Sequence, residues 1–122
     1  MARPRDRERG QATVEFALVL PMLVLALLAV LQIALVVRDH VAVVHAAREA
    51  ARAASVDPDP SRAVRAAHAT LPGAHVRVGP RPRVGESIAV VVTYQSRTSL
   101  PLVGPLFPDP TLQSRVVMRV ER

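Results

Sequence analysis

The sequence predicts an α+β chain: a single-pass N-terminal transmembrane helix continuing into a long amphipathic stalk helix, then a short helix and a small antiparallel sheet of about three strands. Three observations carry this expectation. Residues 16–37 are uncharged, with Gln32 as the only strongly polar side chain. The stretch "AAREAARAAS" sets polar residues at three- and four-residue spacing against small apolar ones. The C-terminal half then changes its apolar period from helical to alternating.

The apolar run is long enough to cross roughly 30 Å of hydrocarbon as a helix. A cleavable secretory signal begins in a similar way, but its apolar region spans about 7–15 residues and ends at a small-residue site. Here the run continues to Val37 and meets Arg38, Asp39 and His40. All 16 basic residues are arginine, against 10 acids, for a formal charge of +6. Basic charge lies on both flanks, and the dense leader with Arg3, Arg5, Arg7 and Arg9 is the better guide to orientation, because long domains translocate largely regardless of charge. The expected layout is a cytoplasmic leader at 1–10, a transmembrane helix at 11–37, its stalk continuation at 38–56 and a small exported domain at 57–122. This places the chain in the cell membrane, with the bilayer as its first partner.

Beyond the membrane, His45, Arg48, Glu49 and Arg52 recur on one side of the stalk, with Val44, Ala47, Ala51 and Ala54 on the other. Alanine has the highest helix propensity, so one helix over about residues 13–55 is expected, about 64 Å long. Pro21 interrupts the run: it cannot donate to the carbonyl of Ala17, and its ring predicts a kink there. "VDPDPS" ends the stalk, since each Asp-Pro pair pushes its aspartate out of helical geometry. Asp59 and Pro60 then form a cap and first position for a second helix over 60–71, which stops at Pro72 and Gly73.

The alternating segments at 75–78, 87–95 and 114–120 are expected as strands. Val76, Val78, Ile88, Val90, Val92, Tyr94, Val116, Met118 and Val120 would face inward, and Arg115 and Arg119 outward. The simplest cover for one sheet face is the alanine side of the stalk with the second helix. Leu100, Leu102, Val103, Leu106 and Phe107, in the proline-punctuated loop between the last two strands, are expected to tuck under the sheet. An exposed patch for a partner or lipid surface is the alternative.

Composition and spacing argue against catalysis. With Cys 0, there is neither a disulfide framework nor a thiolate metal site. His40 and His45 are five apart and so on different helix faces at about 100° per residue, while His68 and His75 fall in separate elements. Metal, phosphate-loop and nucleophile motifs are missing, and Glu86 and Glu121 are lone acids. Tyr94, Phe16 and Phe107 are the only aromatics, too few to interleave with arginine as a base-stacking surface does. The expectation is a non-enzymatic protein without cofactor, metal, nucleic acid or small-molecule substrate.

One constellation remains. The basic leader ends at Gly10, and Glu15 follows five residues later, ahead of Phe16. A carboxylate in a first helical turn is stabilised by about 0.3–1 kcal/mol through the helix dipole, whereas at the bilayer centre the charge costs roughly 2.5–3.5 kcal/mol. Thr13 forms no capping box with Glu15, since that would need the acid at position 16. A free amine at Gln11, created by cleavage after Gly10, could neutralise Glu15 within one chain or between neighbouring subunits. A plain interfacial acid at a helix start is the other reading of Glu15.

"G-QATVE-F" resembles the processing site of type IV prepilins, where a membrane aspartyl peptidase cuts after the glycine. With Leu20, Pro21 and the downstream run Ala47, Arg48, Glu49, Ala50, Ala51, Arg52, the layout over about residues 9–56 looks like the TadE family of tight-adherence, Flp-type pilus assembly systems. The resemblance implies a pilin-like fold and a minor pilin or pseudopilin. It also implies processing by a prepilin peptidase between Gly10 and Gln11, Glu15 and Phe16 in recognition or assembly, and work beside other pilin subunits and membrane platform proteins. Arg48, Glu49 and Arg52 match the family's stalk motif, with a solvated polar stripe as the other reading. An uncleaved, single-pass membrane-anchored accessory or scaffolding protein is the alternative for the whole chain.

Overall fold

The computed structural model describes residues 4–97 and 100–121, with side chains described from residue 10 onward. The elements run α1 (Pro4–Val56), α2 (Pro60–Thr70), β1 (His75–Val78), β2 (Ser87–Gln95), a 3-10 turn (Gly104–Leu106) and β3 (Thr111–Arg119). This is the α+β arrangement expected, with one antiparallel sheet in the order β1-β2-β3. The chain forms two compact units, and α1 contributes to both.

In the first unit, residues up to Ala34 group with the segment preceding β3 that ends at Pro108. Helix α1 starts at Pro4, well before the expected position 13, because a proline suits a first helical turn, where its missing N–H has no partner to lose. It passes through Pro21 without a break in helical assignment. It is long and apolar enough to cross a membrane. Of the basic leader, residues 1–3 lie outside the described residues, and only the backbone is described for 4–9.

The second unit comprises Leu35–Thr98 and Asp109–Arg122. Its core joins a stripe of α1 (Val43, Ala46, Ala47, Ala50, Ala51 and Ala54) to Ala63 and Ala67 of α2 and to Ile88, Val90, Val92 and Val120. The alanine side of the stalk and the second helix do cover the sheet, as the pattern implied. Val43 rather than Val44 heads the stripe: Val43 is buried and Val44 half-buried, because the face turns by one residue on a 3.6-residue helix. Alanine adds little apolar area of its own, but its size lets a helix backbone approach a valine-rich sheet closely. Each fully buried valine then contributes about 1.5–3 kcal/mol.

Strand register follows the alternation. Val90 pairs with Val116 on one side and Val78 on the other, and Val92 with Ser114 and Val76. Strand β3 begins at Thr111, three residues before the expected start, because Leu112 opposite Tyr94 extends the inward row past the polar Gln113 and Ser114. Arg115 and Arg119 face outward, as expected.

Polar contacts, one nonlocal and one local, close the ends of the helices. The Arg81 guanidinium donates from Nη1 to the carbonyls of Ala54 at 2.6 Å and Asp57 at 2.9 Å, occupying acceptors that the end of α1 would otherwise leave open. Asp59 caps α2: its Oδ1 accepts from the Ser61 N–H at 2.9 Å and its Oδ2 from the Ser61 hydroxyl at 2.7 Å. Gly73, at φ 83, turns the chain out of α2 in the left-handed region that glycine enters without steric cost. Gly79 serves a close approach, since a Cβ there would stand 3.0 Å from the Ala89 carbonyl oxygen.

The loop before β3 departs from expectation. Residues 100–108 group with the apolar half of α1 in the first unit, not with the unit that holds the sheet. Val103 is buried, while Leu102, Leu106 and Phe107 are exposed. Prolines at 101, 105 and 108 remove the amide donors that a strand or sheet-packed segment would use.

Candidate processing site and stalk motif

Gly10 lies inside α1, and a Cβ built on it meets nothing within 4 Å. Glycine within a helix costs about 0.5–1 kcal/mol relative to alanine, so this is an inherently weak point of an otherwise strong helix. The peptide bond from Gly10 to Gln11 is therefore helical in the intact chain, and a peptidase needing extended substrate would have to unwind it locally.

One turn further on, the structure brings two of the expected residues together. The Gln11 side-chain amide donates from Nε2 to Glu15 Oε1 at 3.2 Å, an i,i+4 contact on an exposed face. Glu15 does not occupy the first turn of the intact helix, which starts at Pro4, so the dipole argument does not apply to it there. Removal of residues 1–10 would leave Glu15 one turn from the new helix start, with the new amine on the residue whose side chain already meets its carboxylate. Phe16 follows, exposed on the helix surface, and Pro21 is exposed within the same unit.

The stalk motif divides by face. Ala47, Ala50 and Ala51 are fully buried, so the alanines of "AAREAAR" have a packing role against the sheet. Arg48, Glu49 and Arg52 are exposed, and none makes an ion pair or side-chain hydrogen bond among the described residues. They form a charged stripe turned away from the core of their unit, offering two guanidinium groups and a carboxylate to the surroundings.

The histidines lie on separate elements or faces. His68 Nε2 is 2.9 Å from the Ala74 carbonyl oxygen and fastens the turn after α2. Among the described residues no group of three or more histidines and acids could hold a metal ion. Arg81 and Ser96 were not singled out by any motif, since each acts on a partner far away in sequence and carries no local periodic signal. No curated protein and no solved structure matches the chain. Residues 10–52, from the candidate processing glycine through the last arginine of the stalk motif, match the family model TadE, described as TadE-like protein.

Proposed function

We propose that this chain is a minor pilin-like or pseudopilin component of a tight-adherence, type IV-related pilus or secretion apparatus. It is a structural subunit without catalytic activity of its own, held in the cell membrane by α1 with its N-terminus cytoplasmic and residues 57–122 exported. A prepilin peptidase removes the leader after Gly10. The observation that carries this reading is a coincidence of position: the family match begins at Gly10 itself, and Gln11 and Glu15 already meet one turn later.

After cleavage, the amine on Gln11 lies one helical turn before the Glu15 carboxylate, either of its own chain or of a neighbour. Pairing lowers the cost of holding the charge near lipid. The freed helix packs beside other pilin helices through the exposed apolar surface around Phe16 and Pro21, and the 48, 49 and 52 stripe faces other subunits or the membrane platform.

Intact-mass measurement on membrane-extracted protein tests the reading, with mature material beginning at Gln11 as the expected result. Retention of residues 1–10 in the presence of an active prepilin peptidase overturns it. The continuous helix through Gly10 favours a second reading, an uncleaved membrane-anchored accessory protein, which the same measurement separates from the first.

A further inference from the structure

Residues 100–108, "LPLVGPLFP", carry no charge, and Arg97 and Asp109 stand just outside them. They group with the part of α1 that ends at Ala34. On that part of the helix, burial is confined to one face: Gln32 is buried, and Leu28 and Ala29 are half-buried. Val103 of the loop is buried as well, at 3% exposure. Its other large side chains turn outward, with Leu102 71%, Leu106 73% and Phe107 45% exposed, and Val30, Leu31 and Ile33 of the helix are exposed in the same unit.

The amide donors of this segment are largely met from within it. Pro101, Pro105 and Pro108 have no N–H. The Val103 amide donates to the Pro101 carbonyl at 2.9 Å, Gly104 to Leu100 at 2.8 Å, Leu106 to Val103 at 3.1 Å and Phe107 to Gly104 at 3.2 Å. Only Leu100 and Leu102 keep amides outside this set. Hydrocarbon penalises irregular backbone through its unmet polar groups; here proline and internal bonds leave only two amide donors outside this set, and the carbonyls of 102 and 105–108, which accept none of these bonds, require the wet interfacial depth of the leaflet. Leu102 sits at φ 70, a left-handed conformation that leucine rarely adopts, while presenting its side chain to the exterior. An aqueous exterior would make that combination doubly unfavourable, because it strains the backbone in order to wet an apolar side chain.

We propose that residues 100–108 are a second membrane contact. The loop sits in the leaflet at the C-terminal end of the apolar run, with Leu102, Leu106 and Phe107 among the acyl chains and Arg97 and Asp109 at the headgroup boundary. The bilayer is the occupant of this surface because the uncharged loop belongs to one compact unit with a helix that is itself long and apolar enough to span it. The inference rests on the membrane reading of α1.

The chain has no cysteine, so single substitutions can carry a spin label uniquely. Full-length Leu106→Cys is labelled in phosphatidylethanolamine and phosphatidylglycerol vesicles, and the accessibility of the label to oxygen and to a water-soluble nickel chelate is compared. Val24→Cys on the helix and Val84→Cys in the turn before β2 serve as references, and Leu102→Cys repeats the loop measurement. Oxygen accessibility exceeding chelate accessibility at 102, 106 and 24, with the reverse at 84, is expected. Chelate-dominated labels at 102 and 106 with an oxygen-dominated label at 24 overturn the loop contact and leave the membrane helix standing. Loop labels shielded from both reagents overturn it in favour of a protein partner. A chelate-dominated label at 24 overturns the membrane reading itself.

Discussion

The Ser96 hydroxyl donates a 2.6 Å hydrogen bond to Oδ2 of Asp39, tying the start of the stalk to the residue after β2. Ser96 is fully buried, and its own amide donates to the Pro110 carbonyl at 3.0 Å. One serine thus joins the helix to both sides of the loop that separates β2 from β3. Hydrogen bonds to charged groups are worth about 1.5–3 kcal/mol, and leaving a buried partner unmatched costs a similar amount. Ser96→Ala should lower the stability of the detergent-solubilised chain by about 1–3 kcal/mol, measured by denaturant titration. Ser96→Thr, which keeps the hydroxyl, should lose less if the pocket admits a methyl. Wild-type stability in Ser96→Ala would remove the bond from any structural role.

The alanine stripe and the charged stripe of the stalk should separate in mutagenesis. Ala50→Leu forces a branched side chain between α1 and the valines of the sheet, and such overpacking costs about 1–3 kcal/mol. The double variant Arg48→Ala, Arg52→Ala removes exposed side chains with no partner among the described residues, so its stability should stay within about 0.5 kcal/mol of wild type. Reduced recovery of that stable double variant in cross-linked assemblies would assign the stripe to a partner, whereas unchanged recovery would leave it a solvated surface.

The cap of α2 should respond to acid. The Ser61 hydroxyl, followed by the Ser61 N–H, holds the Asp59 carboxyl below its ordinary value of 3.8, with Arg65 and Arg62 adding smaller effects in the same direction. A depressed folded value means that the ionised cap stabilises the folded state above the unfolded value, and that this contribution is lost as pH falls through the folded one. Hydrogen-exchange protection of the first turn of α2 should therefore weaken as pH drops below about 3.8. In Asp59→Ala it should be lower at neutral pH and lack that step. An identical acid profile in the variant would show that another group sets it.

At the candidate processing site, Gly10→Arg should insert into the membrane normally, because the apolar run is intact, yet remain full-length. Normally shortened protein in this variant would contradict the site. Glu15→Val should also insert normally, with reduced recovery in sheared or cross-linked complexes. Recovery equal to wild type would remove Glu15 from assembly.

The apolar run, the alanine stalk, the Asp59 cap and the inward rows of β1, β2 and β3 were legible in the sequence by itself, because each is a periodicity or a cap written within a few consecutive residues. The family resemblance was legible for the same reason, being a spacing along one helix. Tertiary structure decided what depends on distant residues meeting. It set the start of β3 through the pairing of Leu112 with Tyr94, the fastening of the stalk end by Arg81 and the bond between Asp39 and Ser96. It also grouped residues 100–108 with the apolar part of α1 in a unit separate from that of the sheet. Local pattern records that a segment is apolar, but which apolar surface covers it is decided by the whole set of nonlocal contacts, and a proline-rich segment with few free amides has little to gain from a sheet.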